Sequence, residues 1–295
     1  MQKWKKWILA IPLTGLSFHL LSLFCEAQTD GFSVARIHSD LPYNPAWQTS
    51  SSPEILDNAL NQTYRYLSCG GQCFAFASDD GKYVMKFFKH RIRKPYSLYL
   101  TSRLFPPFEN ARRRKLSRAL FKMNRDFQSY KIAYETLPQE TGVIFIHLNK
   151  SSDLKRNVQI VDKLGIAHTI ALDEVEFVLQ KKAELAYAQF DSWIKNKDLA
   201  LAKKGIHAML ETILSRCKKG IYDEDPRIHR NFGFIDDKPI FIDVGRFVPD
   251  ANRKDKGVYT QDMKSIIKNF RDWLEETHPP LVEVLDEEMH ALQND

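Results

Sequence analysis

The apolar residues of this chain change period near Leu185. Before that point they fall in short runs rich in β-branched and aromatic residues, bounded by Gly, Asp and Asn, and after it they recur at steps of three and four. A chain divided in this way builds a sheet-rich part followed by a helical part, an α+β class. Residues 64–67 and 74–77 read as strands joined across Ser68-Cys69-Gly70-Gly71-Gln72, with Tyr83–Phe88 as a third strand after the Asp79-Asp80-Gly81-Lys82 turn. A helix over residues 117–137 follows, its Leu120, Met123, Phe127, Tyr130 and Tyr134 sharing one face and Pro138 marking its end. Residues 142–148, 158–164, 166–170 and 175–179 supply further short strands. Beyond Leu185 come helices over 187–194 and 198–218, the second with Ile206, Met209, Leu210, Ile213 and Leu214 on one face. A hairpin of residues 231–235 and 239–243 then turns at Asp236-Asp237-Lys238, and helices over 260–276 and 280–293 close the chain.

The two ends of the small part read differently. Lys3, Lys5 and Lys6 precede an uncharged stretch over residues 7–24, so residues 1–27 read as a signal peptide or an uncleaved signal anchor. Either one places the bulk of the chain on the non-cytoplasmic side of a membrane, exported or anchored. Residues 28–55, rich in Ser, Thr, Pro and Asn and without sustained periodicity, read as a linker. The domains expected are 56–182, carrying a basic insertion at 89–115, and 183–295.

The 4 Cys include no C-x-x-C pair, which leaves neither a structural zinc module nor a disulfide scaffold. No G-x-S-x-G marks a serine hydrolase. Of the 43 Lys and Arg, 14 lie between Lys86 and Lys131, against only Glu109 and Asp126. Such a local positive field suits an anionic membrane surface or a phosphorylated acceptor. Nucleic acid is not expected, since no helix-turn-helix, zinc-finger or RNA-recognition motif accompanies the patch.

Chemistry concentrates in three places: the Gly70-Gly71 turn between two strands, Lys86 on the next strand, and Asp225, Asn231 and Asp243 on the late loop and hairpin. A Gly turn lets backbone N–H groups approach phosphates, a Lys neutralises them, and an Asn with an Asp holds a cation while a further Asp orients a hydroxyl. With Val84-Met85-Lys86 placed like a V-A-I-K strand and Asp243-Val244-Gly245 like D-F-G, the chain resembles the protein-kinase-like superfamily over about residues 64–247. The resemblance implies a two-lobed fold, with a small antiparallel β-lobe holding one main helix and a reduced, mainly helical large lobe. It implies ATP and Mg²⁺ as cofactors, Gly70, Gly71 and Lys86 around the nucleotide, and Asn231 and Asp243 as metal ligands. Asp225, with Asp223 as its nearest alternative, would be the base, and Asp126 the partner of Lys86. Of the pattern G-x-G-x-x-G only Gly70 is matched, and no A-P-E follows Asp243, which looks more like the small-molecule and lipopolysaccharide kinase branches than an enzyme that grips a peptide. Two functions follow: an ATP- and Mg²⁺-dependent phosphotransferase acting on a hydroxyl of a non-peptide or membrane-linked acceptor, or a membrane-tethered or secreted pseudokinase that binds a partner through its basic small lobe.

Overall fold

The computed structural model describes residues 16–17, 19–49, 53–90 and 109–294. Its first lobe is one seven-stranded sheet, ordered β4-β7-β3-β2-β1-β5-β6. The strands are β1 (Thr63–Cys69), β2 (Cys73–Ser78), β3 (Tyr83–Phe88), β4 (Val143–His147), β5 (Asn157–Val161), β6 (Ala167–Ala171) and β7 (Phe177–Lys181). β2 and β3 are buried along nearly their whole length, because the sheet is covered on both faces. One face carries Phe74, Phe76 and Phe87. The other carries Phe88, whose ring meets Phe127 at 4.8 Å and Tyr130 at 5.2 Å on the helix that crosses it. Lys86, two residues before Phe88, shares that second face.

The helices of this lobe are α1 (Val34–Ile37), α2 (Pro53–Leu60), the long α3 (Glu109–Glu135) and α4 (Pro138–Thr141). Two expectations need correction here. The sheet is not wholly antiparallel: β1 and β5 run parallel, with Thr63 opposite Gln159 and Arg65 opposite Val161. The apolar alternation that marks a strand carries no direction, so only the path of the chain, from β4 at one edge to β5 at the other side, sets the polarity. Nor are residues 28–49 a linker. Phe32 packs edge-on against Phe74 and Phe76 at 5.2 and 5.3 Å, and Ile37 is fully buried. His38 bridges to Val175, and Asn44 and Asn149 exchange hydrogen bonds at 3.0 and 2.9 Å. The buried Ser39 hydroxyl donates to Glu176 Oε1 at 2.6 Å, while His90 meets the other carboxylate oxygen at 2.8 Å. This segment covers the Phe74–Phe76 face through one side chain at a time, which is why it shows no period.

The second lobe runs β8 (Glu184–Leu185), α5 (Ala186–Lys195), α6 (Leu199–Lys218), β9 (Ile221–Asp223), α7 (Ile228–Asn231), β10 (Phe232–Ile235), β11 (Lys238–Phe241), β12 (Phe247–Pro249), α8 (Lys256–Thr277) and α9 (Pro280–Asn294). The Asp198 carboxylate caps α6 by accepting from the Leu201 N–H at 3.0 Å, and Gly220, at φ +72°, lets the chain turn out of it. The five apolar residues expected on one face of α6 are all buried. Gly205 on the same helix lies under Trp193 of α5, and a Cβ there would stand 2.5 Å from the indole ring. Gly205→Ala is expected to lower the unfolding free energy by about 1–3 kcal/mol through overpacking, read by urea denaturation. The whole is thus a two-lobed α+β fold, the arrangement expected of a kinase-like chain. Gln180, buried on β7, ties the lobes by donating to Thr141 O at 2.6 Å and Phe241 O at 3.0 Å.

Most of the expected leader and the core of the basic insertion, residues 91–108, lie outside the described residues. Residues 19–29 are helical, and among the described residues no helix is long and apolar enough to cross a membrane.

Candidate active site

Lys86 stands on β3 opposite Ala75 of β2 and Val178 of β7, in the middle of the sheet. Its residue is only 7% exposed, and its ammonium donates to Ile242 O at 2.6 Å. Burial pulls the Lys86 pKa below the ordinary lysine value, while the nearby Asp243 carboxylate works to hold the charge. The Ile242 N–H donates in turn to Asn231 O at 2.8 Å. One residue of the late hairpin is therefore gripped by Lys86 from the sheet lobe and by Asn231 from α7. The next residue, Asp243, accepts from the Gly245 N–H at 3.2 Å. Two hydrogen bonds to the backbone of Ile242 thus bring Lys86 and Asn231 beside the residue that precedes Asp243.

Asn231 is buried at the end of α7, and its Nδ2 donates to Asp225 O at 2.7 Å. That use of the amide nitrogen leaves Oδ1 as the acceptor end. Asp225 is fixed from the other side as well, its N–H donating to Asp223 Oδ1 at 2.9 Å. The Asp225 carboxylate, partly exposed, pairs with Arg227 and lies 3.9 Å from Arg230. Asp223 is different. It is 1% exposed at the end of β9, its Oδ2 has no hydrogen-bond partner among the described residues, and burial pushes its pKa up to about 6 against the pull of Arg216. The Asp223 carboxylate is thus shut off from solvent, whereas that of Asp225 is partly exposed.

Asp126 is not the partner of Lys86. Its carboxylate meets Arg125 at 3.4 Å and Arg246 at 3.5 Å, and accepts from Gln72 Nε2 at 3.1 Å. Aspartate is one methylene shorter than glutamate, and the Lys86 ammonium is already turned to Ile242 O. At the turn, Gly70 spends its N–H on Cys73 O at 3.0 Å, whereas Gly71 has open space around it. The turn is held down by a residue the sequence did not single out: Gln72 Nε2 also donates to Gly245 O at 2.7 Å. Ser129 of α3 was likewise missed. Its hydroxyl donates to Val244 O and accepts from the Phe247 N–H at 2.6 Å, locking the backbone around Val244 and Gly245 to the helix. Neither residue carries a motif or a period that would have marked it.

The donors present are one carboxylate, Asp243, and one amide oxygen, Asn231, and among the described residues no cluster of three or more His, Cys, Asp or Glu is able to hold a metal. An all-protein cage is therefore not what these residues fit. A carboxylate and an amide oxygen are the donor types by which Mg²⁺ is commonly held when phosphate oxygens complete its ligands.

No protein-family model and no curated protein matches the chain. Among solved structures, the bifunctional kinase-methyltransferase WbdD is similar with a TM-score of 0.33 and 11% identity, over 74% of this chain and 42% of that one. Rv3197 of Mycobacterium tuberculosis, solved with erythromycin, is similar with a TM-score of 0.33 and 11% identity, over 96% of this chain and 75% of that one. The chain spans less than half the length of WbdD.

Proposed function

We propose that this chain binds ATP with Mg²⁺ between its lobes and transfers the terminal phosphoryl group to a hydroxyl of a non-peptide or membrane-linked acceptor. The observation that carries this reading is the meeting of Lys86, Asn231 and Asp243 through Ile242. Lys86, whose ammonium donates to Ile242 O, would supply a cation to phosphate oxygens from a buried position, where a charge acts more strongly than in water. Asn231 and Asp243 would hold the magnesium ion, whose bound form neutralises charge on the phosphates. Asp225, its backbone clamped by Asp223 and Asn231, accepts the proton of the acceptor hydroxyl and orients its oxygen. The basic face of α3 fits an acceptor that is itself anionic or lies on an anionic membrane.

One observation favours the alternative, a pseudokinase scaffold: Gln72 pins the Gly turn onto Gly245, and the Gly70 N–H is already used. Incubation with γ-labelled ATP and Mg²⁺ separates the two. A phosphotransferase releases or transfers label, and Asp225→Asn slows it by about 10²–10⁴-fold. Nucleotide binding with no turnover in the wild-type chain would instead establish the scaffold.

A further inference from the structure

Beside the Gly turn, the end of β3 and the middle of α3 enclose a cleft of ≈ 120 Å³ that opens to solvent. Its floor is apolar, with Phe88, Leu120 and Met123 among the lining side chains. Lys89, Lys122, Arg125 and Arg246 line it as well, with Asp126 as the one carboxylate among the lining residues; Asp126 pairs with Arg125 and Arg246, and the Lys89 ammonium is held by Cys69 Sγ and Gly70 O, which leaves Lys122 exposed at the opening. Arg125 Nε is buried there with no hydrogen-bond partner among the described residues. The Nη atoms of the same guanidinium meet Asp126 at 3.4 Å and Glu224 at 3.9 Å, so Nε is the donor left over, and an anionic oxygen is the group that satisfies it best. Just outside the cleft, Phe121 is 68% exposed between the exposed Arg118 and Lys122 of the same helix. An aromatic ring set among cations on a surface helix suits the boundary between anionic headgroups and acyl chains.

We infer that this cleft holds an anionic lipid, its phosphate on Arg125, Lys122 and Arg246 and the start of its apolar chain on Phe88, Leu120 and Met123. The cleft adjoins the proposed transfer site directly. Gln72 lines it and donates to Gly245 O, and the Gly245 N–H is bound by Asp243. The inference rests on the phosphotransferase reading in one respect: it names the acceptor as lipid-borne and charged. Lipid binding itself stands on the cleft alone.

The test uses the full chain in neutral detergent and reads melting temperature with lysophosphatidate, lysophosphatidylcholine or glycerol 3-phosphate, each with and without MgATP. Lysophosphatidate is expected to stabilise the chain, the other two to have little effect, and Lys122→Glu and Leu120→Gln each to weaken lysophosphatidate binding tenfold or more. Lys122 is exposed, so that variant keeps its fold. Equal stabilisation by glycerol 3-phosphate would show that the apolar floor is unused, and equal stabilisation by lysophosphatidylcholine that the charge is; either overturns the inference. So would lysophosphatidate binding unchanged in both variants. An intact MgATP shift beside no lysophosphatidate effect removes the lipid site alone. A lysophosphatidate shift without an MgATP shift removes the nucleotide reading and leaves the lipid site standing.

Discussion

With about 1 mM ATP and excess Mg²⁺, the wild-type chain is expected to melt roughly 3–6 °C higher than without nucleotide, and Lys86→Met and Asp243→Ala to show no shift. A ligand that binds only the native state stabilises it by mass action, and a dissociation constant of about 0.1 mM gives about 1.4 kcal/mol at that concentration. For a chain of this size each kcal/mol moves the midpoint by about 2–4 °C. Each variant is compared with itself, because both residues also support the apo structure: Lys86 holds Ile242 O and Asp243 holds the Gly245 N–H. Methionine at 86 keeps most of the buried volume while removing the charge. The two residues reach the site from different lobes, so loss of the shift in both would place the nucleotide between them. A full shift retained in either variant would mean that nucleotide binds elsewhere, or not through these groups.

Asp223 should make the chain more stable as the solution is acidified toward pH 4.5. An unfolded aspartate releases its proton near 3.8, whereas folded Asp223 keeps it up to about 6. Between those values the folded chain binds more protons, so the stability this group contributes is full below the lower value and is lost as pH rises through the upper one. At about 1.4 kcal/mol per pH unit the whole effect is about 3 kcal/mol, of which about 2 kcal/mol falls between pH 7.5 and 4.5. Asp223→Asn keeps an oxygen for the Asp225 N–H and does not titrate. Urea unfolding of both chains at the two pH values should therefore show the wild type gaining about 2 kcal/mol on the variant at the acid end. A constant difference would mean that Asp223 titrates as an ordinary surface aspartate. The charge of Arg216 works against the effect of burial on Asp223; Arg216 is itself fully buried, with Nη2 3.3 Å from Asp262 and its Nε and Nη1 without hydrogen-bond partners among the described residues. A buried cation of that kind needs carboxylates near it; Asp262 pairs with it and Asp223 feels its charge.

Local physics settles some of this protein from its sequence. Short apolar and aromatic runs bounded by Gly and Asp turns specify β1, β2 and β3, and the step of three and four specifies α5, α6, α8 and α9, because each pattern is a property of one element. The order Gly turn, strand Lys, loop Asn and strand-ending Asp resembles the kinase-like pattern, and that resemblance made Lys86, Asn231 and Asp243 candidates before any packing was known. What each side chain meets is a different matter. That Asp126 faces Gln72, Arg125 and Arg246 depends on how α3 lies over the sheet. The parallel pairing of β5 with β1, the docking of residues 28–49 over the Phe74–Phe76 face and the burial of Arg216 beside Asp262 depend likewise on contacts between segments distant in the chain. Such contacts leave no period, since each is made by one residue against a surface that exists only after the rest has folded. The elements and the candidate residues belong to the sequence, and the partners of those residues belong to the tertiary structure.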